Sequence, residues 1–202
     1  MAKAYDKTYF DKWRAAGVID PEATKRAAKL VVAAAEYILE RPVRTVLDIG
    51  CGEGLWRDAV REAVAAHDRL AAQRLRYVAV DPSPYVVKTQ ANVLQGGFGD
   101  LPALSDYFGI ATLDLVVCND VLPYVPALDM VSGLAWIAKH LIGVAWLQAM
   151  TRSDKFEGDR EGFIGRSAKQ YLAMFAAHGL HRIGPHLYVH ERALSRLTAL
   201  ER

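Results

Sequence analysis

The sequence predicts an α/β fold, in which helices cover both faces of a doubly wound, mostly parallel sheet that ends in a hairpin. Several short β-branched runs are apolar on both of their faces, as is typical of buried parallel strands. Amphipathic helical segments alternate with these runs along the chain. The first run ends in a glycine-rich turn that leads into a helix, which is the connection expected in a doubly wound sheet.

The chain of 202 residues has the length of one domain with a substantial core. We therefore expect a single domain over residues 1–202, with an N-terminal arm at 1–20 and a ligand-binding core at 43–150. A formal net charge of +2 offers no basic surplus for nucleic acid. No apolar run approaches the roughly 18 residues that span a membrane, and the N-terminus lacks a secretory signal. These features favour a cytoplasmic protein.

The N-terminal segment, residues 5–18, is predicted to form a short amphipathic helix, because Phe10, Trp13 and Gly17 fall at helical spacing. Two interpretations remain open, since the segment can be a packing arm at the sheet edge or a lid over a ligand. Asp20-Pro21-Glu22 is a helix start with a capping acid and a proline in the first turn. Pro42 ends that helix near Glu40 or Arg41.

The elements that follow the first strand and its glycine turn alternate regularly. A crossover helix begins at Leu55 and can extend as far as Gln73, and the second strand ends at Asp81. The remaining predicted elements are a helix from Ser83 to about Ala91, a strand at 93–95, a loop at 96–100, a strand at 113–119, a helix at about 127–140, a strand at 142–150, a helix capped by Ser167 and closed by Gly179, and a hairpin of 181–183 and 187–190. Residues 191–202 are predicted to be a short helix or a frayed end.

The glycine turn comprises Gly50, Cys51, Gly52, Glu53 and Gly54, with Asp48 two residues before it. A dinucleotide site requires a small residue where this chain has Leu55, and a carboxylate at Asp48 would repel a pyrophosphate. The same carboxylate suits a ligand with an ammonium and a sulfonium group. The run Val46-Leu47-Asp48-Ile49-Gly50-Cys51-Gly52-Glu53-Gly54 resembles the first motif of the class I S-adenosylmethionine-dependent methyltransferases, including their small bacterial members.

This resemblance implies a Rossmann-like sheet with one antiparallel strand, S-adenosylmethionine as cofactor and S-adenosylhomocysteine as product. Asp81 would accept hydrogen bonds from the ribose hydroxyls, or it would only cap a helix entry before Pro82. Asp100 would accept from the adenine amine, and Phe98 or Leu101 would cover the ring. The predicted cofactor-binding set is Asp48, Gly50, Cys51, Gly52, Gly54, Asp81, Pro82, Phe98, Gly99, Asp100, Leu101 and Asn119.

The acceptor site is predicted beyond the fourth strand, where Asp120 and Tyr124 are candidate catalytic residues. Nucleic-acid and glutamine methyltransferases carry an Asn/Asp-Pro-Pro-Tyr/Phe motif at this place, and this chain departs from it at Val121-Leu122. That departure favours a small-molecule acceptor and no nucleic-acid partner. The long connection at 151–166 is a candidate for acceptor recognition. The predicted substrate-binding residues are Tyr5, Tyr9, Trp13, Tyr124, Arg152, Phe163 and His186, and no metal ligands stand out.

The sequence therefore predicts a transferase that moves a methyl group by in-line displacement to O, N or C of a small molecule, chiefly through proximity and orientation. Two alternatives remain. One is a non-catalytic binding or partner protein with the same pocket, and the other is a nicotinamide-dependent oxidoreductase. The predicted assembly is a monomer or a homodimer.

Overall fold

A single sheet forms the centre of the computed structural model, which describes residues 5–155 and 159–198. Within that part of the chain the order of its strands is β3-β2-β1-β4-β5-β7-β6. Strands β1 to β5 run parallel, whereas β7 is antiparallel to both β5 and β6. The strands are β1 (Thr45–Ile49), β2 (Arg76–Asp81), β3 (Val93–Gln95), β4 (Leu113–Asn119), β5 (Leu141–Gln148), β6 (Leu180–Gly184) and β7 (Leu187–His190). This topology confirms the predicted fold class.

Helices cover both faces of this sheet. They are α1 (Lys7–Ala15), α2 (Pro21–Leu39), α3 (Leu55–His67), α4 (Arg69–Arg74), α5 (Pro84–Thr89), α6 (Leu101–Phe108), α7 (Ala127–His140), α8 (Ala168–Ala176) and α9 (Leu194–Thr198). Helices α2 and α3 bury one hydrophobic cluster against the sheet, and α6, α7 and α8 bury a second cluster on the opposite face. No helix among the described residues is both long and apolar enough to cross a membrane.

Local sequence signals account for most of the element boundaries. Helix α2 begins where predicted, since the Asp20 carboxylate accepts hydrogen bonds from the Glu22 and Ala23 amides. Its C-cap, Glu40, adopts the left-handed conformation at φ +55°, which confirms the predicted end of the helix. The Ser167 side chain caps α8, and Gly179 has φ +68° just after that helix, as predicted. Residues 199–202 of the predicted terminal segment lie outside the described residues.

Two sequence predictions need correction. The crossover helix does not extend to Gln73, because Asp68 is in an extended conformation and its carboxylate caps a separate helix, α4. Helix α6 was not predicted, and it follows directly from a 3₁₀ turn at Phe98–Asp100 where a plain loop was expected. Pro102 lies in the first turn of α6, a position that proline favours.

A partly buried ion pair between Arg41 and Asp114 lies at the amino ends of β1 and β4. The Asp114 carboxylate accepts from both terminal nitrogens of Arg41 at 2.7 and 2.8 Å, and from the Arg44 amide at 2.7 Å. This contact ties the end of the α2 segment to two neighbouring strands. The loops of the candidate site lie at the opposite, carboxyl edge of the sheet.

Candidate functional site

The glycine turn connects β1 to α3 at the carboxyl edge of the sheet. Gly50, Gly52 and Gly54 have φ values of +71°, +51° and +84°, which side chains rarely tolerate. The amides of Gly50 and Cys51 donate to the Val80 carbonyl at 2.8 and 3.3 Å, so the turn is tied to β2. A Cβ atom at Gly50 would clash with the side chain of Val121, beyond the end of β4. The turn therefore lies between the ends of β2 and β4.

Asp81 ends β2 and supports the glycine turn. One carboxylate oxygen accepts from the Gly52 amide at 2.9 Å, and the other accepts from the Ser83 amide at 2.8 Å. The residue is buried, and this burial raises its pKa although both hydrogen bonds act to lower it. Asp81 thus caps the chain before α5 through the Ser83 amide, which was one of its two predicted roles. It also contacts the glycine turn through the Gly52 amide. The neighbouring Pro82 is exposed.

Asp48 lies beneath the turn with only 1% of its surface exposed. Its carboxylate accepts a hydrogen bond from the Tyr77 hydroxyl at 2.7 Å. Burial raises the pKa of Asp48 to about 7, against the smaller opposing effects of Tyr77 and of the nearby Arg57 guanidinium. Cys51, in the turn itself, is also buried, and burial raises the pKa of its thiol. Both side chains face the protein interior.

The 3₁₀ turn after β3 carries Asp100, which is exposed and accepts from the Gly97 amide at 2.8 Å. The side chains of Phe98 and Leu101 do not share this exposure, since only 2% and 0% of their surfaces are accessible. Phe98 packs against Gly133 of α7, where a Cβ atom would clash with its ring. The two predicted ring covers therefore lie in the core, and Gly99 and Asp100 are the more open residues of this turn.

Beyond β4, four polar side chains form a chain of hydrogen bonds. The Trp146 indole donates to the Asn119 amide oxygen at 3.0 Å, and the Asn119 nitrogen donates to the Asp120 carboxylate at 2.8 Å. Gln148 donates to the other oxygen of Asp120 at 3.3 Å. Asp120 has φ +60°, a strained conformation that Asp tolerates better than most residues. Its side chain reaches solvent in a cleft. Desolvation by the protein around it nevertheless raises its pKa.

The connection from β5 to α8 lies against this cleft. The Tyr124 hydroxyl donates to the Asp159 carbonyl at 2.6 Å, and the Ile164 amide donates to the Pro123 carbonyl at 2.7 Å. Arg166 is buried and donates to the Leu122 and Val125 carbonyls at 3.2 and 2.6 Å. The predicted contact residue Arg152 is exposed, and Phe163 is half-buried. Phe156, Glu157 and Gly158 of this connection lie outside the described residues.

Helix α1 covers the glycine turn. The Phe10 ring lies 3.3 Å from the place of a Cβ atom on Gly52 and 5.9 Å, between centroids, from the Tyr85 ring. Arg14 forms an ion pair with Glu53, and the Tyr5 carbonyl accepts from the Ser83 hydroxyl. The arm is therefore attached to both sides of the turn. Residues 1–4 of the predicted arm lie outside the described residues.

Three tyrosines, Tyr5, Tyr9 and Tyr124, lie in the neighbourhood of Asp81 and Asp120. The rings of Tyr5 and Tyr9 pack edge to face at 5.1 Å. The pKa of Tyr9 is raised by burial first, and then by nearby Asp159, Tyr124, Tyr5 and Asp81. The pKa of Tyr124 is raised by burial and by nearby groups that include Asp120. Trp13 lies farther along α1, 6.2 Å from the Tyr9 ring.

His186 is in the turn between β6 and β7, with φ +58°. Its ring lies 5.1 Å from the Trp146 ring, which in turn lies 5.5 Å from Trp56 of α3. Burial, and secondly the nearby Arg182 guanidinium, lower the pKa of His186. Sequence reasoning named Phe10 only as part of the N-terminal helix, and it missed Trp146 and Gln148 at this edge. The signal was available for the last two, because they alternate towards the carboxyl end of β5 on the face of Asn119.

The described residues contain no group of three or more histidine, cysteine, aspartate or glutamate side chains that could hold a metal ion. The donors and acceptors at the edge are instead carboxylates, backbone amides, side-chain amides and phenols. Such a set suits a ligand with hydroxyl, amino and cationic groups better than it suits a phosphate.

A family model described as a methyltransferase domain matches residues 20–198. No curated protein matches the chain. A sugar N-methyltransferase, KedS8 from Streptoalloteichus, is 18% identical, with a TM-score of 0.66 over 94% of this chain and 95% of its own. An S-adenosylmethionine-dependent methyltransferase from Archaeoglobus fulgidus is 14% identical, with a TM-score of 0.62 over 87% and 75%. Streptomyces venezuelae DesVI is 15% identical, with a TM-score of 0.62 over 91% and 97%. At these identities the likeness establishes the fold.

Proposed function

This chain belongs to the methyltransferase domain family, and we propose that it transfers a methyl group from S-adenosylmethionine to a small-molecule acceptor. Family and fold together make it a class I S-adenosylmethionine-dependent methyltransferase. The observation that carries the site assignment is the hydrogen bond from Gly52 to Asp81, which joins the glycine turn to an acid at the adjacent strand end. In an open parallel sheet, ligands bind at this carboxyl edge.

The residues at the edge fit this cofactor. Each carboxylate oxygen of Asp81 uses one lone pair for a backbone amide and retains acceptor capacity for the ribose hydroxyls. Asp100 offers an exposed carboxylate for the adenine amine. The backbone of Gly50 and Gly52 allows close approach of the methionine part, and the surrounding acids favour its cationic groups. Phe98 and Leu101 contribute to this site by holding the 3₁₀ turn in the core.

Side chains of this protein orient the acceptor and take up the proton that it loses. When bound, S-adenosylmethionine supplies a methyl group on a sulfonium, so that the leaving group is a neutral thioether. Asp120, which accepts hydrogen bonds from Asn119 and Gln148, is the group that we propose takes a proton from the acceptor. Tyr124 and the 151–166 connection border the same cleft, and they orient the acceptor and exclude water.

We further propose that the chain is one domain and that α1 is a lid of this site. Phe10, Arg14 and the Tyr5 carbonyl all contact residues of the glycine turn or of the segment after β2. A helix in that position would separate the cofactor from solvent. The resemblance to other methyltransferases supports this assignment, and α1 has no comparable contact with the amino edge of the sheet among the bonds described.

The test is calorimetric titration of the purified protein with S-adenosylmethionine, S-adenosylhomocysteine and NADH. We expect both sulfur ligands to bind and NADH to show no binding. Asp81→Asn should weaken the binding of S-adenosylmethionine by about tenfold or more. The reason is that an amide nitrogen cannot accept a hydrogen bond from a hydroxyl or from a backbone amide. Asp106→Asn, the same change on the exposed face of α6, is the matched control and should leave affinity unchanged.

Circular dichroism and thermal unfolding of Asp81→Asn show whether the fold is retained. Normal S-adenosylmethionine affinity in this variant would remove the central site assignment. Binding of NADH without either sulfur ligand would favour an oxidoreductase. Cofactor binding without any methylated product across a broad acceptor panel would favour a binding or partner protein.

A further inference from the structure

The acceptor side of the cleft is built around the Asp120 carboxylate. Asn119 and Gln148, at the ends of β4 and β5, each donate a side-chain hydrogen bond to a different oxygen of this group. Asn119 is itself oriented by the Trp146 indole. Two neighbouring strands therefore hold the carboxylate in place from the protein side, while solvent reaches it from the cleft. A side chain fixed in this way is suited to bind a ligand.

The strained backbone at Asp120 supports the same conclusion. A left-handed conformation at φ +60° costs free energy for a residue other than glycine, and such strain concentrates at functional positions. Asparagine or glycine would adopt this conformation as easily or more easily. The presence of an acid here is therefore explained by its charge and acceptor capacity and not by the backbone.

Aromatic side chains border this carboxylate. Asp120 is among the groups that raise the pKa of Tyr124, and Tyr124 and Asp81 are among those that raise the pKa of Tyr9, after the larger effect of burial on each. Tyr5 packs on Tyr9. Phenol rings beside a carboxylate form a favourable environment for an ammonium group, through cation–π attraction and direct charge pairing.

The charged groups that act on the tyrosines of the cleft are acidic. The ionisable groups that act on Tyr9 and Tyr124 are Asp81, Asp120, Asp159 and other tyrosines. Two nearby guanidinium groups are engaged elsewhere, because Arg14 pairs with Glu53 and Arg166 donates to main-chain carbonyls. Burial lowers the pKa of His186, which disfavours a charge on this ring. A carboxylate, phosphate or phenolate placed beside the Asp120 carboxylate would therefore be repelled by it.

We propose that the methyl acceptor is an amine that enters as an ammonium ion and is bound by Asp120 among the tyrosines. This inference rests on the proposed methyltransferase function and specifies its substrate class. The ammonium gives one proton to the Asp120 carboxylate, which frees the nitrogen lone pair. That pair forms the new N–C bond, and the electrons of the broken S–C bond remain on the neutral thioether sulfur. An aliphatic alcohol would need a much stronger base than a carboxylate.

The experiment compares two probes of the same shape, choline and 3,3-dimethylbutan-1-ol, of which only choline is charged. Binding to the full chain is measured by NMR titration in the presence of S-adenosylhomocysteine. We expect choline to bind about tenfold or more tightly than the alcohol. Asp120→Asn keeps a residue that tolerates the left-handed backbone and should reduce this preference to less than about threefold. Asp106→Asn should retain the full preference.

The outcomes separate the two proposals. If S-adenosylhomocysteine binds but choline and the alcohol bind equally, or neither binds, the amine inference is wrong and the methyltransferase assignment stands. If the preference persists in Asp120→Asn, Asp120 is not the group that recognises the cation. If S-adenosylhomocysteine itself does not bind, both proposals fail. Methylation of an amine panel, with no product from the isosteric alcohols, would provide the catalytic confirmation.

Discussion

At the scale of single residues, Asp48 is almost completely buried, and this burial disfavours the ionised form of its carboxyl group. In the unfolded chain an aspartate has a pKa near 3.9, whereas burial raises that of Asp48 to about 7. Between these pH values the folded protein keeps a proton that the unfolded chain has lost. The free energy of unfolding therefore falls as the pH rises through this window. This contribution to stability is fully present below about pH 4 and is lost above about pH 7.

We predict that Asp48→Asn stabilises the protein at about pH 8, on the order of 1–3 kcal/mol, and has little effect near pH 4.5. The amide oxygen still accepts from the Tyr77 hydroxyl, and no charge is buried. Thermal or urea unfolding of both proteins at the two pH values measures the difference. Asp120 is present in both proteins, so its own titration cancels, whereas the Asp81 charge adds to the raised pKa of Asp48 only in the protein that keeps Asp48. An equal difference at both pH values would show that Asp48 keeps its ordinary pKa.

The same scale shows what local sequence can and cannot predict at the site. Asp81 ends β2 and Asp100 ends the turn after β3, where the element order of the sequence placed them, and their roles in binding stay predictions. The burial of Phe98 depends on its contact with Gly133 of α7, far along the chain. The link from Asn119 to Trp146 joins two strands whose register the sequence does not state. Local patterns place residues on elements, whereas these contacts are set by packing between elements.

At the scale of elements, α1 presents two interpretations that a measurement can separate. If α1 is a lid, the Phe10 ring shields bound cofactor at Gly52, and its removal exposes that ligand to water. We predict that Phe10→Ala weakens the binding of S-adenosylhomocysteine by about 5- to 30-fold, chiefly through faster dissociation, since a partly buried phenyl ring contributes about 1–2 kcal/mol. Stopped-flow or surface-plasmon measurements give the dissociation rate.

The matched control for this prediction is Tyr37→Ala, which removes an exposed ring from α2. It should change neither the affinity nor the dissociation rate. Arg14→Gln should have a small effect, because the Arg14–Glu53 pair is partly exposed and solvent screens the attraction between its charges. A lower melting temperature in Phe10→Ala with an unchanged dissociation rate would identify α1 as a packing arm.

The elements themselves were largely predictable, and the exceptions have physical reasons. The caps at Asp20 and Ser167 and the turn at Gly179 determine their helix ends locally. The break at Asp68 is also a local cap, but it was hidden because the apolar spacing continues on both sides of it. Helix α6 was missed because its eight residues give only a short periodic pattern after a glycine-rich loop.

At the scale of the whole molecule, one sheet separates two hydrophobic clusters and supports both. Strand β1 shows the arrangement, since Val46 packs in the cluster under α2 and α3 and Leu47 packs in the cluster under α6, α7 and α8. Because alternate residues of the same strands enter both clusters, neither cluster can be lost while the sheet remains intact. The predicted fold class followed from this pattern, in which strands are apolar on both faces.

We predict that the molecule unfolds in a single transition and that matched cavities on the two faces destabilise it independently. Ile38 of α2 and Ile137 of α7 are both almost fully buried, one in each cluster. Ile38→Ala and Ile137→Ala should each lower the free energy of unfolding by about 2–5 kcal/mol, and their effects should add to within about 0.5 kcal/mol. Leu128→Ala, at a position of α7 with 84% exposure, is the control and should change stability little. Calorimetry of each variant should give equal calorimetric and van 't Hoff enthalpies. Two resolved transitions, with Ile38→Ala shifting only one of them, would mean that the two faces unfold separately and that the sheet does not couple them.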